Sequence, residues 1–168
     1  MRTRRAGRVI VLDPDCRVLL MRYDDGPPNG RHWSTPGGGL NSGESFAEGA
    51  ARELTEETGW TDVQLGDQVY EQEIVMGYGP EIVRQHECFF LATVAVRRRE
   101  VVDVDGMHRA DGIAAWHWWS LAEIDGTTEA IWPAELGTLI GNLPDTPRTS
   151  GLGGLGSLRI RRARGTID

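Results

Sequence analysis

The sequence predicts a single α/β layered domain, and three observations carry that expectation. Strand-like runs of β-branched and apolar residues recur from residue 8 to residue 119. Two helical patterns, at 45–58 and 133–143, stand apart from each other among them. The 168 residues, 39% of them hydrophobic, suit one packed core with short tails.

The elements follow in order. Residues 8–12 and 17–22 are apolar runs joined by Asp13-Pro14-Asp15-Cys16, whose turn chemistry makes them a hairpin. Residues 24–30 hold too many turn formers for regular structure. A short strand at 32–35 runs into the loop Pro36-Gly37-Gly38-Gly39. The clearest helix spans Ser45 to Thr58: Ser45 and Glu48 form a capping box, and Gly59 occupies the terminating position. Its Ala47, Ala51, Leu54 and Thr58 are expected to face a sheet. Strands are expected at 63–76 and 82–96, a charged loop at 97–112, and a strand at 113–119. Ser120 to Glu123 reads as a helix start. Leu136, Leu139, Ile140 and Leu143 give the last helix its apolar stripe. The domain is expected to end at 143, with 144–168 a mobile or loosely docked tail rich in Pro, Gly and Arg.

Composition narrows the function. The net charge is −7, yet Arg2, Arg4, Arg5 and Arg8 crowd one end and Arg159, Arg161, Arg162 and Arg164 the other. The body is therefore strongly acidic, which argues against duplex nucleic acid as a partner and suits a protein that gathers divalent cations. The basic ends are expected to be solvated. No membrane span or signal peptide is expected, so the protein reads as cytoplasmic. Cys16 and Cys88 lack metal-ligand spacing and are expected to be unpaired thiols.

The informative stretch runs from Gly38 to Trp60. At about 100° per residue, Glu53, Glu56 and Glu57 share one helix face. Clustered carboxylates repel one another, so something must offset them. Arg52 can neutralise part of the charge, and a hard cation such as Mg²⁺ suits the oxygen donors. The glycine loop beside them lets backbone approach a ligand closely. Metal and exposed backbone together outline a phosphate site.

This segment resembles the Nudix box, G-x5-E-x7-R-E-U-x-E-E-x-G-U with U aliphatic. It matches at Gly38, Glu44, Arg52, Glu53, Leu54, Glu56, Glu57 and Gly59, and departs only at Trp60 in the last aliphatic place. Seven fixed residues at fixed spacing arise by chance roughly once in a billion starts.

The resemblance implies the Nudix fold, an α/β/α sandwich around a mixed β-sheet. It implies Mg²⁺, with Mn²⁺ as the alternative, held by Glu53, Glu56, Glu57 and the Gly38 carbonyl and oriented by Arg52. Arg52 and the three glutamates are the expected catalytic residues, with Glu44 structuring the loop. The implied reaction is hydrolysis of a pyrophosphate bond in a nucleoside-diphosphate-linked small molecule. The base would be Glu56 or Glu57, with Glu100, Asp103 and Asp105 as loop candidates.

Trp33 and Tyr78 are substrate-binding candidates. The cluster Trp116, Trp118 and Trp119 reads as packing. A (deoxy)nucleoside triphosphate, oxidised forms included, is the expected substrate. A dinucleoside polyphosphate is the alternative, on the Tyr78 spacing, and a non-catalytic nucleotide sensor is a rival class. A homodimer is common among such relatives, though the sequence carries no dimer signature.

Overall fold

The computed structural model describes residues 1–98, 100–102 and 106–143, together with the backbone of 162–164. Nine strands and four helices alternate along it: β1 (Thr3–Leu12), β2 (Val18–Asp24), β3 (Arg31–Ser34), β4 (Gly37–Gly39), α1 (Phe46–Thr58), β5 (Gln68–Tyr78), β6 (Glu81–Thr93), α2 (Met107–Ala110), β7 (Ile113–Trp119), α3 (Leu121–Gly126), β8 (Ile131–Trp132), α4 (Leu136–Gly141) and β9 (Arg162–Arg164).

The strands join one mixed sheet in the order β8-β3-β2-β1-β6-β5-β9, with β4 paired to β1 and β7 to β2. At its centre β1 and β6 run parallel, in register from Thr3↔Arg84 to Leu12↔Thr93. Both faces of β1 are covered, which is why it reads as a continuous apolar run. Val9 and Val11 join the core that includes Ala50 and Leu54 of α1. Ile10 and Leu12 join the opposite core, with Leu136 and Ile140 of α4. Helix, sheet, helix: the α/β/α sandwich is present.

Helix α1 begins and ends as its sequence predicts. The Ser45 side chain accepts from the Glu48 N–H, the Glu48 side chain returns to Ser45, and Gly59 closes the helix in the left-handed conformation. Its packing face differs from expectation. Gly49, Ala50, Leu54, Glu57 and Thr58 are buried, whereas Ala47 and Ala51 are exposed. The cause is a close approach to β1: a Cβ on Gly7 would lie 2.3 Å from the Phe46 carbonyl oxygen and 2.8 Å from the Ala50 nitrogen. Seating the helix there turns Glu57 toward the sheet.

Other differences are local. The Gly37–Gly39 segment, expected as loop, is a short strand paired antiparallel with β1, Ala6↔Gly39 to Arg8↔Gly37. The charged stretch 97–112 contains α2. Strand β1 starts at Thr3, so its arginines belong to the sheet and are not a solvated tail. In the C-terminal segment, 162–164 pairs parallel with β5. Residues 144–161 and 165–168 lie outside the described residues, and with them most of the expected tail. Among the described residues, no helix is long and apolar enough to cross a membrane.

Candidate active site

Helix α1, strand β4 and the C-terminal ends of β2 and α2 converge on a cavity of about 780 Å³. Glu53 and Glu57 reach it from α1, Tyr23 from β2, Gly37 to Gly39 from β4, and Asp111 from the turn after α2.

Glu57 is the most enclosed of the glutamates of α1, 1% exposed. The Tyr23 hydroxyl donates to its Oε1 at 2.7 Å and the Gly37 N–H to its Oε2 at 2.8 Å. Burial pushes its carboxyl up to about 8, against the pull of those two donors and of Arg8. Burial also raises Glu53, with Arg52 opposing. The backbone is pressed against Glu53: a Cβ on Gly38 would lie 2.6 Å from its carboxylate.

Arg52 organises the charges. Its Nε and Nη2 donate to Glu44 at 2.7 and 3.0 Å, its Nη1 to Glu53 at 2.9 Å and Glu56 at 3.0 Å, and its Nη2 also to the Gly39 carbonyl at 2.8 Å. One guanidinium thus ties the loop to the helix face. The hydrogen bond from Arg52 is the main reason Glu44 is held down at about 2.

The donor set fits a divalent cation. Carboxylate oxygens of Glu53, Glu57 and Asp111 lie within 4.8 Å of one another. The Asp111 Oδ2 is buried without a hydrogen-bond partner among the described residues. Burial, then the charge of Glu56, raises the Asp111 carboxyl. Three crowded carboxylates with an orphaned oxygen could hold a cation, and an all-oxygen set suits Mg²⁺ chemistry. Glu56 lies outside this tight trio, turned onto Arg52.

Asp111 was missed by sequence reasoning. It stands far from α1 in the chain, and a lone Asp before Gly112 reads as a turn residue. Of the other base candidates, Glu100 does not line the cavity, and its carbonyl accepts from Trp60 Nε1 at 3.0 Å. Asp103 and Asp105 lie outside the described residues.

The opposite wall is basic. Arg2 and, from β1, Arg4, Arg5 and Arg8 line the cavity with Tyr78 and Gln85. Arg2 pairs with Glu81 at 3.0 Å and Arg8 with Glu87 at 2.6 Å, whereas Arg4 and Arg5 form no ion pair among the described residues. Arg4 lies over the Tyr78 ring at 4.6 Å and donates to Gln85. Its burial, next to Arg8, lowers its pKa. A half-buried guanidinium without a carboxylate is a ready partner for an anionic ligand.

The aromatic candidates separate. Tyr78 lines the cavity, 47% exposed. Trp33 does not: it is packed edge-on against Trp119 at 5.2 Å, and its Nε1 donates to Glu129. It is 7% exposed, with Arg22 over its ring at 5.8 Å, so the structure does not bring it to this cavity with Tyr78. Trp118 stacks on Trp60 at 6.2 Å, so this part of the tryptophan cluster packs the core as expected.

Comparison with known proteins gives the same picture. The NUDIX domain family model matches residues 1–139. The chain is 31% identical over 139 residues to an RNA pyrophosphohydrolase of Caulobacter vibrioides, covering 77% of each chain. In fold it is similar to a MutT protein from Methanosarcina mazei, with a TM-score of 0.59, 23% identity, and 83% and 91% of the two chains covered. It is also similar to a C. elegans Ap4A hydrolase, with a TM-score of 0.58, 20% identity, and 82% and 92% covered.

Proposed function

The chain belongs to the Nudix hydrolase superfamily and is a pyrophosphohydrolase; on that premise we propose that it acts on a nucleoside 5′-triphosphate, oxidised forms included, with Mg²⁺. The observation that carries this reading is a cavity lined by two unlike sets of groups. Glu53, Glu57 and Asp111 meet in it, and Arg4, which forms no ion pair among the described residues, lines it as well. A polyphosphate chain needs both: a cation at the scissile anhydride and guanidinium donors along the remaining charge.

Glu53, Glu57 and Asp111 would hold the ion, which when bound would supply Lewis-acid polarisation of a phosphoryl oxygen, a lowered water pKa and charge compensation for the leaving group. Tyr23 and Gly37 fix the Glu57 carboxylate, and Arg52 fixes Glu53 and Glu56. Water attacks one phosphorus of the anhydride, its proton passes to a carboxylate, and the bond to the bridging oxygen breaks.

A second reading keeps the chemistry and enlarges the leaving part: the 5′-triphosphate end of an RNA. It is supported by the likeness to the Caulobacter enzyme over most of both chains and by the arginines of β1. The dinucleoside polyphosphate alternative rests on Tyr78, which lines the cavity with Arg4 over its ring. Cytoplasmic nucleotides are the pool we assign, in keeping with two free cysteines.

The test is a panel of nucleoside triphosphates, 5′-triphosphorylated oligoribonucleotides, dinucleoside polyphosphates and ADP-ribose with Mg²⁺, read by phosphorus NMR of the products. Release of pyrophosphate or phosphate from a triphosphate, lost by orders of magnitude in Glu57→Gln, supports the reading. Turnover of ADP-ribose or a dinucleoside polyphosphate alone overturns the substrate, and no turnover of any overturns the activity.

A further inference from the structure

On the α1 side of the sheet, away from the cavity, Glu71 of β5 meets His86 and Cys88 of β6. Glu71 Oε1 lies 2.7 Å from His86 Nε2, and Cys88 Sγ lies 4.0 Å from the same nitrogen. All three donor atoms lie within 4.8 Å of one another. Glu71 stands directly opposite Cys88 in the antiparallel register, and His86 is two residues before Cys88 on the same face. None of the three lines the catalytic cavity.

Two chemistries use these residue types, and the geometry separates them. A Cys-His-Glu proton relay engages different nitrogens of the imidazole, one toward the thiol and one toward the carboxylate. Here a single nitrogen, Nε2, faces both, and its one proton serves only one of them. Three donors converging on one point is the arrangement of a chelate.

We propose that Glu71, His86 and Cys88 form a second metal site, selective for Zn²⁺ or a similar late divalent ion over Mg²⁺. Thiolate and imidazole are the softer ligands that such ions prefer, in contrast with the all-oxygen cluster of the active site. A tetrahedral zinc ion needs donor separations of about 3.4–3.6 Å. The observed 2.7 and 4.0 Å bracket that range, and the third separation is within 4.8 Å, so small side-chain shifts close the site. Cys88 is buried, 3% exposed, and among the described residues the polar contact of its thiol is this imidazole. Three protein ligands leave the fourth position toward solvent, on the side where Glu71 and His86 are partly exposed. Gln68 Nε2, 3.4 Å from the other Glu71 oxygen, supports the carboxylate. The edge of Phe46, ring centroids 4.8 Å apart, steadies the imidazole. Sequence spacing could not show this site, because one ligand comes from the neighbouring strand.

Cobalt is the probe. Full-length protein is titrated with Co²⁺ under reducing conditions and then challenged with Zn²⁺, reading the thiolate-to-cobalt charge-transfer absorption that carboxylates cannot produce. The expected result is a stoichiometric band in the wild type, in Cys16→Ser and in Glu57→Gln, bleached by Zn²⁺ but not by excess Mg²⁺. It is lost in Cys88→Ser and at least tenfold weaker in affinity in His86→Ala and Glu71→Gln, whose partly exposed positions spare the fold. No band in the wild type, or a band that survives Cys88→Ser, overturns the proposal.

Discussion

The Tyr23 hydroxyl donates to the Glu57 carboxylate at 2.7 Å, joining strand β2 to the helix that carries the proposed metal ligands. The contact sets one oxygen of a buried group whose other oxygen is set by the Gly37 N–H. Tyr23→Phe keeps the ring, and its packing in the core, while deleting that donor. A roughly 10- to 100-fold loss in metal affinity or kcat is expected, the usual cost of losing a partner of a ligand. A Mg²⁺ titration of the rate checks it, and unchanged half-saturation and kcat would show that Tyr23 only packs.

Arg52 serves four acceptors at once, Glu44, Glu53, Glu56 and the Gly39 carbonyl. Lysine carries the same charge without the planar fork. Arg52→Lys is expected to lower kcat/KM by about 10- to 100-fold, with the melting temperature nearly unchanged. Steady-state kinetics beside a thermal scan checks this.

Gly38→Ala separates site from fold. The added Cβ would meet the flexible end of Glu53 at 2.6 Å, so the carboxylate moves and the sheet need not. Half-saturation for Mg²⁺ should rise by about tenfold or more, while urea unfolding stays close to wild type. A large drop in the urea midpoint would mean that the backbone gives way first.

How much of this could be read from residues alone differs by feature. Helix α1 was legible because its cap, period and terminator all agree within a few residues. The three glutamates were legible as one face, yet periodicity cannot say which arc meets the sheet. That depends on Ala50 seating over Gly7, a contact between distant segments. Strand β4 was hidden because glycine runs disfavour strands, while its pairing with β1 is a tertiary effect. The β1 arginines looked like a terminal cluster until pairing with β6 made them a wall.

Asp111 is the acidic group that only the folded chain brings to the site. Asp111→Asn preserves its shape and removes one charge from the trio. The rate at limiting Mg²⁺ should fall at least about tenfold and recover in part at high Mg²⁺. Rates across a Mg²⁺ series test it, and a wild-type series would remove Asp111 from the ligand set.

Glu87 is fully buried with Arg8 at 2.6 Å, and Gln72 and Gln85 donate to it at 2.6 and 2.8 Å. Burial opposes its ionisation, but Arg8 and the two amides prevail and its carboxyl is held below the ordinary value. A lowered carboxylate contributes stability above its unfolded value of about 4.3, and this is lost as pH falls through the lower folded value. Glu87→Gln strands the guanidinium and should cost about 3–5 kcal/mol. Urea unfolding from pH 7 down to acid checks both: the variant should be weaker at pH 7 and flatter with acid.

The parallel pairing of β1 with β6 also orders events in time. Arg8 and Glu87 are 79 residues apart in the chain, and the cavity wall is complete only when those strands meet. Closing so long a loop is slow compared with forming α1, whose signals are all local. On the ribosome, the glutamate helix is therefore synthesised and able to coil well before β6 emerges. A nascent chain carries the charges of the catalytic centre for an interval in which it has no centre.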